Sequence, residues 1–245
     1  MKKFALMIAA MLVMVPFSMN AGEPATAAGD NESNFGVTHP FKSDSDTTSH
    51  WSMEVNGFYL GMGVKHSWEA INNSFEVGLL NFAAINYNSL HGQNLSLGVG
   101  INHRSYSMKR PGMLVRDDAG VISLGSYPET NIDLIKNRTS NLNMWSIQFP
   151  LMFRQRIYKK LEFSVAGIMN WNVYARADNH YEMNKVDHDT HYKGLKQNKI
   201  CFDAMGALTV GATGIYCRYS PGKFFKDGYG PEIKNTWTLG IAMGL

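Results

Sequence analysis

The triplet His103-Arg104-Ser105 holds the residue types that could do acyl chemistry. In an alternating stretch, His103 and Ser105 fall on one face, where an imidazole can serve as base to a hydroxyl nucleophile. Such a pair needs an orienting carboxylate, and the next alternating stretch, 142–154, contains no Asp or Glu. The triplet is therefore read as a polar strand end, and the chain as a non-enzyme. A second group, Asp187, His188, Asp189 and His191 with His180 nearby, has the side chains that ligate divalent metals. Nothing fixes its spacing on a rigid element, so a solvated loop is expected there, without metal. Gly98-Val99-Gly100 lies in an alternating stretch with no following helix, so it forms no phosphate-binding loop. No cofactor is expected.

The elements that carry these residues show period-two hydrophobicity from Trp51 to the end, and no sustained helical period. Trp237, Leu239, Ile241, Met243 and Leu245 alternate with Thr236, Thr238, Gly240, Ala242 and Gly244. Trp145, Ile147, Phe149, Leu151 and Phe153 do the same against Ser146, Gln148, Pro150, Met152 and Arg154. Counting similar runs predicts about eight strands, the first two slipping phase through bulges near Asn56-Gly57 and Leu80-Asn81. Connections alternate between tight turns near 87–93, 158–160 and 210–212 and long loops near 65–73, 108–140, 177–196 and 221–233. That asymmetry predicts an eight-stranded antiparallel up-and-down transmembrane β-barrel.

Volume decides which face points outward. The bore of eight strands holds little beyond its own side chains. The bulky face, with roughly five large groups per strand, would not fit inside such a bore. The small face also collects Glu54, Glu76, Glu162 and Asp203 together with Arg104, Arg154 and Arg218. Mixed charges of nearly equal number can pair in a closed interior, so these seven are expected to form a salt-bridged lumen with no open pore. By the same parity Cys201 points inward and Cys217 outward, too poorly placed for a disulfide. Trp145, Trp171, Tyr174, Tyr219 and Trp237 fall at strand ends near the long loops, and Trp51, Tyr87, Phe153 and Tyr158 near the short turns. Such rings form girdles at two membrane interfaces.

The whole chain has 245 residues, 44% hydrophobic and 18% charged, with 23 Lys+Arg against 20 Asp+Glu and 2 Cys. Near-neutrality excludes the electrostatic footprint of a nucleic-acid binder, and two cysteines make no disulfide scaffold. Lys2 and Lys3, the apolar run 4–15 and small residues near Ala21 have the layout of a secretory signal over 1–21. The run is too short to cross a bilayer as a helix. Residues 22–50 are polar and small, so a flexible periplasmic segment is expected there and the barrel over 51–245.

The stretch Arg218-Tyr219-Ser220-Pro221, then Phe225, Gly228, Gly230-Pro231-Glu232 and the last alternating strand, resembles the PorT-like and OmpX-like small outer-membrane barrels of the Bacteroidota. The resemblance implies an eight-stranded barrel with an N-terminal periplasmic tail and, for most members, no known chemistry. Some PorT-like relatives are associated with protein secretion, others with adhesion or envelope integrity. Chains of this kind usually end in an aromatic residue read by the insertion machinery, whereas this one ends in Leu245. His103 and Ser105 also resemble the His-x-Ser pair of outer-membrane lipid A deacylases, without its acidic partner. The expected protein is thus a monomeric structural or interaction barrel of the outer membrane. Its partners are membrane lipid, the insertion machinery, and an extracellular ligand or secretion complex met by the long loops. The rival functions are a lipid A-modifying hydrolase and a component linked to secretion.

Overall fold

The computed structural model describes residues 36–38, 51–88, 93–127 and 135–244. The expectations for the 1–21 signal and for Leu245 lie outside the described residues, as does most of the 22–50 segment. Among the described residues twelve strands follow in chain order: β1 (Gly36–Thr38), β2 (Trp51–Lys65), β3 (Ile71–Asn88), β4 (Gln93–Met108), β5 (Met113–Arg116), β6 (Ile122–Gly125), β7 (Ile135–Tyr158), β8 (Leu161–Met183), β9 (Val186–Lys193), β10 (Ile200–Val210), β11 (Thr213–Ser220) and β12 (Thr236–Met243). Eight of them, β2, β3, β4, β7, β8, β10, β11 and β12, pair in antiparallel order, and β12 returns to β2. The sheet closes into a barrel, which leaves those strands no long free edge. In the stretch expected to be flexible, β1 pairs in parallel with the start of β2, Gly36 facing Ser52.

Alternation sets the wall. Along β8, Ser164, Ala166, Ile168, Asn170 and Asn172 are buried while Phe163, Val165, Trp171 and Val173 are exposed. Every barrel strand follows suit on its outer face, from Leu60 and Met62 on β2 through Leu97, Leu151, Phe202 and Ile215 to Leu239 and Ile241 on β12. Trp171 is 49% and Ile241 55% exposed, whereas Arg218 is 0% exposed. The bulky face therefore points out and the polar face in. Cys201 and Cys217 are both free thiols.

The ladder is interrupted at mid-height. Pairing of β3 with β4 shifts between Leu79 and Ala83, and pairing of β4 with β7 passes from Leu97↔Leu151 to Gly100↔Gln148 across Pro150, which has no N–H to give. A Cβ on Gly100 would lie 2.0 Å from the Leu80 carbonyl oxygen, so only glycine admits this approach. The Gln148 side chain repairs part of the interruption by donating from Nε2 to the Leu79 carbonyl at 2.9 Å. An irregular ladder in a wall is tolerated only when such groups find partners inside the protein.

Turns are short at one end, with Lys159 at φ 44° between β7 and β8 and Gly211 at φ 64° between β10 and β11. The other end is built up, and here the structure corrects the expectation of long irregular loops. Residues 177–196 are largely strand, because β8 runs on to Met183 and folds back as β9, Arg176 facing Lys193 and Met183 facing Val186. The 108–140 stretch contains the β5–β6 hairpin, whose Leu114 N–H donates to Ser140 Oγ and Asn179 Oδ1 at 3.1 Å each. Ile71, Tyr106, Leu114, Ile122, Leu142, Phe224, Phe225 and Ile233 are buried together there with Trp68 and Tyr192 against them, a second apolar core over the barrel mouth.

Candidate functional site

The interior carries the densest polar constellation. Glu76 on β3, Arg104 on β4, Asp203 on β10 and Arg218 on β11 are all buried and meet across the bore. Arg104 Nη2 donates to Asp203 Oδ2, and its Nε lies 3.3 Å from Glu76 Oε2. Arg218 donates to the same Asp203 oxygen from Nη2 at 2.6 Å and Nε at 3.0 Å, and its Nη1 is 3.8 Å from Glu76. Two guanidinia and two carboxylates leave no net charge, which is what a desolvated cluster requires.

Neutral groups finish the network. Tyr216 donates its hydroxyl to Glu76 at 2.8 Å, and Asn170 donates to Asp203 at 2.7 Å while accepting from Arg218 at 2.9 Å. Arg218 Nη1 donates to Tyr59 Oη at 2.9 Å, and Tyr59 donates onward to Gln148 Oε1 at 3.0 Å. Glycines make room for the two phenols: a Cβ on Gly61 would sit 2.2 Å from Tyr216 Oη, and one on Gly78 2.5 Å from Tyr59 Oη. Strand parity points to Tyr216, Gln148 and Asn170 as inward, but not to their bonds. Tyr59 was hidden by the irregular register of β2. An inward tyrosine facing glycine on the neighbouring strand is the signal that would have found both phenols.

Two of the remaining expected lumen residues lie elsewhere. Glu162 is corrected: it sits at the short-turn rim, 3.3 Å from Arg156, with a quarter of its side chain exposed, because its strand has just begun. Arg154, facing Ser164 and Asn94 across the sheet, is half-buried near the same rim and outside the four-charge cluster. The Glu54 side chain lies outside the described residues.

Two small cavities flank Arg104, about 10 and about 20 Å³, lined by Ser74, Tyr106, Ser220 and Thr236 among others. Each admits about one water, and neither offers a conduit.

His103 and Ser105 share a face of β4, where His103 is only 4% exposed, covered by the Trp145 ring 4.6 Å and the Phe75 ring 6.5 Å away. Across the sheet Ser105 faces Phe75 and Asn143, so neither neighbour brings a carboxylate. The His/Asp group, expected on a loop, lies on the β8–β9 hairpin. His180 Nδ1 is 2.8 Å from Asp189, His191 Nδ1 is 2.8 Å from Asp178, and His188 stacks on Tyr181 at 4.9 Å. Asp187 faces Glu182. Each imidazole is thus taken up by its own cross-strand neighbour. Among the described residues no three His, Cys, Asp or Glu side chains converge on one metal position.

No protein family and no curated protein matches this sequence. Among solved structures the chain is similar to Ail, the attachment invasion locus protein of Yersinia pestis, crystallised in complex with the heparin analogue sucrose octasulfate. The match has 12% sequence identity and a TM-score of 0.36, and covers 78% of this chain and 96% of that one. A likeness of that degree transfers no ligand and no activity.

Proposed function

We propose that this chain is an integral outer-membrane β-barrel of structural or interaction type, its lumen plugged and its built-up end displayed to the exterior for recognition. The observation that carries this reading is the continuous belt of exposed apolar residues on all eight barrel strands around a buried, charge-paired bore. In water such a belt would far exceed the few hundred Å² of apolar patch that a monomer tolerates. Against acyl chains it needs no cover, and closure satisfies the backbone.

Two features set the limits of the belt. On β7 the outward side changes from Phe153, Leu151, Phe149 and Ile147 to Asn143, Asn141 and Thr139, with Trp145 at the change. Trp145 faces His103 on β4 and Tyr174 on β8, and Tyr219 lies 4.6 Å from Trp237, rings suited to a headgroup boundary. The apolar span is then the nine or so residues that a tilted strand needs. Above it the outward face is polar and internally bonded, Asn143 donating to Asp178 and Ser107 to Asn141.

The test is incorporation into lipid vesicles. The folded barrel migrates faster than the boiled chain on a gel, is protease-protected in its belt, and gives no single-channel steps in a planar bilayer. Recovery of a water-soluble monomer without detergent, or steady conductance, would sink this reading.

A further inference from the structure

We propose that Arg110, Arg138 and the ring ladder of Tyr127, Tyr181 and His188 form a binding site for the acidic group and ring face of a sugar acid, on the inner side of the protruding sheet. This rests on the recognition role proposed above and names its ligand class.

The hairpin of β8 and β9 sorts its charges. Asp178, Glu182, Asp187 and Asp189 occupy one face together with His180 and His191, since residues directly opposite in a ladder share a face. The other face carries Asn179, Tyr181 and Met183 opposite Thr190, His188 and Val186, with no carboxylate. On this second face Tyr127 meets Tyr181 edge-on at 5.3 Å, and Tyr181 and His188 stack face against face, 12° from parallel, so the far face of the half-buried His188 ring is the one offered to the apolar side of a pyranose ring.

Two cations lie near these rings. The register of β7 against β8 shifts between Lys136 and Thr139, with Asn137 at φ 51°, so Asn137 and Arg138 together oppose Tyr181. Arg138 Nη1 is buried without an acceptor. Burial pushes the Tyr127 phenol up, and the charges of Arg138 and Arg110 act against that rise, so both guanidinia lie within electrostatic range of the phenol. Elsewhere arginines are engaged: Arg104 and Arg218 in the lumen, Arg156 with Glu162, Arg176 with Asp178 and Arg116 with the Lys193 carbonyl. Among the described residues neither Arg110 nor Arg138 has a carboxylate within ion-pair distance. A guanidinium held ready without a counter-charge suits an incoming carboxylate, which it can bind in a fork. The site lies about 20 Å along β7 beyond Trp145, at roughly 3.3 Å per residue, and on the side turned away from lipid. It therefore suits a soluble ligand from outside and not the phosphates of the membrane's own glycolipid.

The experiment titrates the folded full-length barrel in detergent micelles with glucuronate, glucose and inorganic sulfate, read by calorimetry or amide shifts. Saturable glucuronate binding is expected, weakened by about tenfold or more in Arg110→Gln/Arg138→Gln and unchanged in Lys136→Gln, which removes the same charge from the outward face. Should the double variant not fold, Arg110→Gln alone, on an exposed turn, carries the comparison. Absence of saturation by glucuronate, equal affinity in the folded double variant, or sulfate binding as tightly as glucuronate overturns the proposal. Glycolipid-bearing vesicles competing better than glucuronate would overturn the assignment to a soluble ligand. Heat-shifted gel mobility, scored on every sample, keeps a failure of the membrane reading separate from a failure of the site.

Discussion

Arg218 and Asp203 are bonded through one carboxylate oxygen although they do not face each other in the ladder: Met205 stands opposite Arg218, and Asp203 lies one inward step further along β10. The long guanidinium bridges that offset, which leaves Asp203 reachable by Arg104 from across the bore. Asp203→Asn removes a charge shared by two buried arginines and is expected to cost about 3–5 kcal/mol, since breaking a buried pair leaves charge uncompensated. Combined with Arg104→Gln, the loss should be smaller than the sum of the single losses. Urea titration of the fast-migrating band checks both, and additivity would show that the four charges do not act as a unit.

The belt gives a depth-dependent prediction. Leu151→Arg, exposed at mid-height, is expected to lower stability in bilayers by about 2–4 kcal/mol, and Thr139→Arg above the aromatic row by no more than about 1 kcal/mol. Equal costs at the two depths, measured by denaturant midpoints in phospholipid vesicles, would contradict the membrane boundary at Trp145.

The mid-height interruption predicts that Gly100 cannot be replaced. Gly100→Ala drives a methyl against the Leu80 carbonyl, and overpacking of this kind costs about 1–3 kcal/mol or prevents closure. Gln148→Leu keeps the volume but leaves the Leu79 carbonyl and the Tyr59 hydroxyl unanswered, at about 1–3 kcal/mol each way. Refolding yield into micelles, scored by gel shift, should fall in both variants while Gly167→Ala, whose methyl would meet nothing within 4 Å, folds normally.

His66, in the connection between β2 and β3, supplies a pH dependence outside the belt. Burial holds its imidazole below the usual 6.5, and its Nε2 lies 2.6 Å from Ser74 Oγ. A base whose folded value is depressed favours the neutral ring, so its contribution is present above pH 6.5 and is lost as pH falls through the lower folded value. Amide protection at the β2–β3 connection, measured relative to the intrinsic exchange rate at each pH, should therefore fall under acid conditions in the native chain, and not in His66→Gln. Protection that falls in alkali instead would reverse the sign and refute the assignment.

Period-two hydrophobicity, turn spacing and the volume of the bulky face were enough to determine the barrel, its eight strands and which side faces out, because alternation and bore size are local and additive properties of the chain. Both bulges near Gly57 and Leu80 were legible for the same reason: they break a phase that is otherwise strict. Parity also placed Glu76, Arg104, Asp203 and Arg218 inside, but it assigned Glu162 to the same company, since parity says nothing about height along the axis. Only the closed sheet decided that. Strand stagger brings residues from seven strands to one level, so Tyr59 and Asn170 join the cluster while Glu162 is left at the rim with Arg156. The built-up end was equally invisible. Residues 177–196 are too polar to show a strand period, and they become strand because each finds a cross-strand partner, Asp178 with His191 and His180 with Asp189, which no spacing in the chain announces.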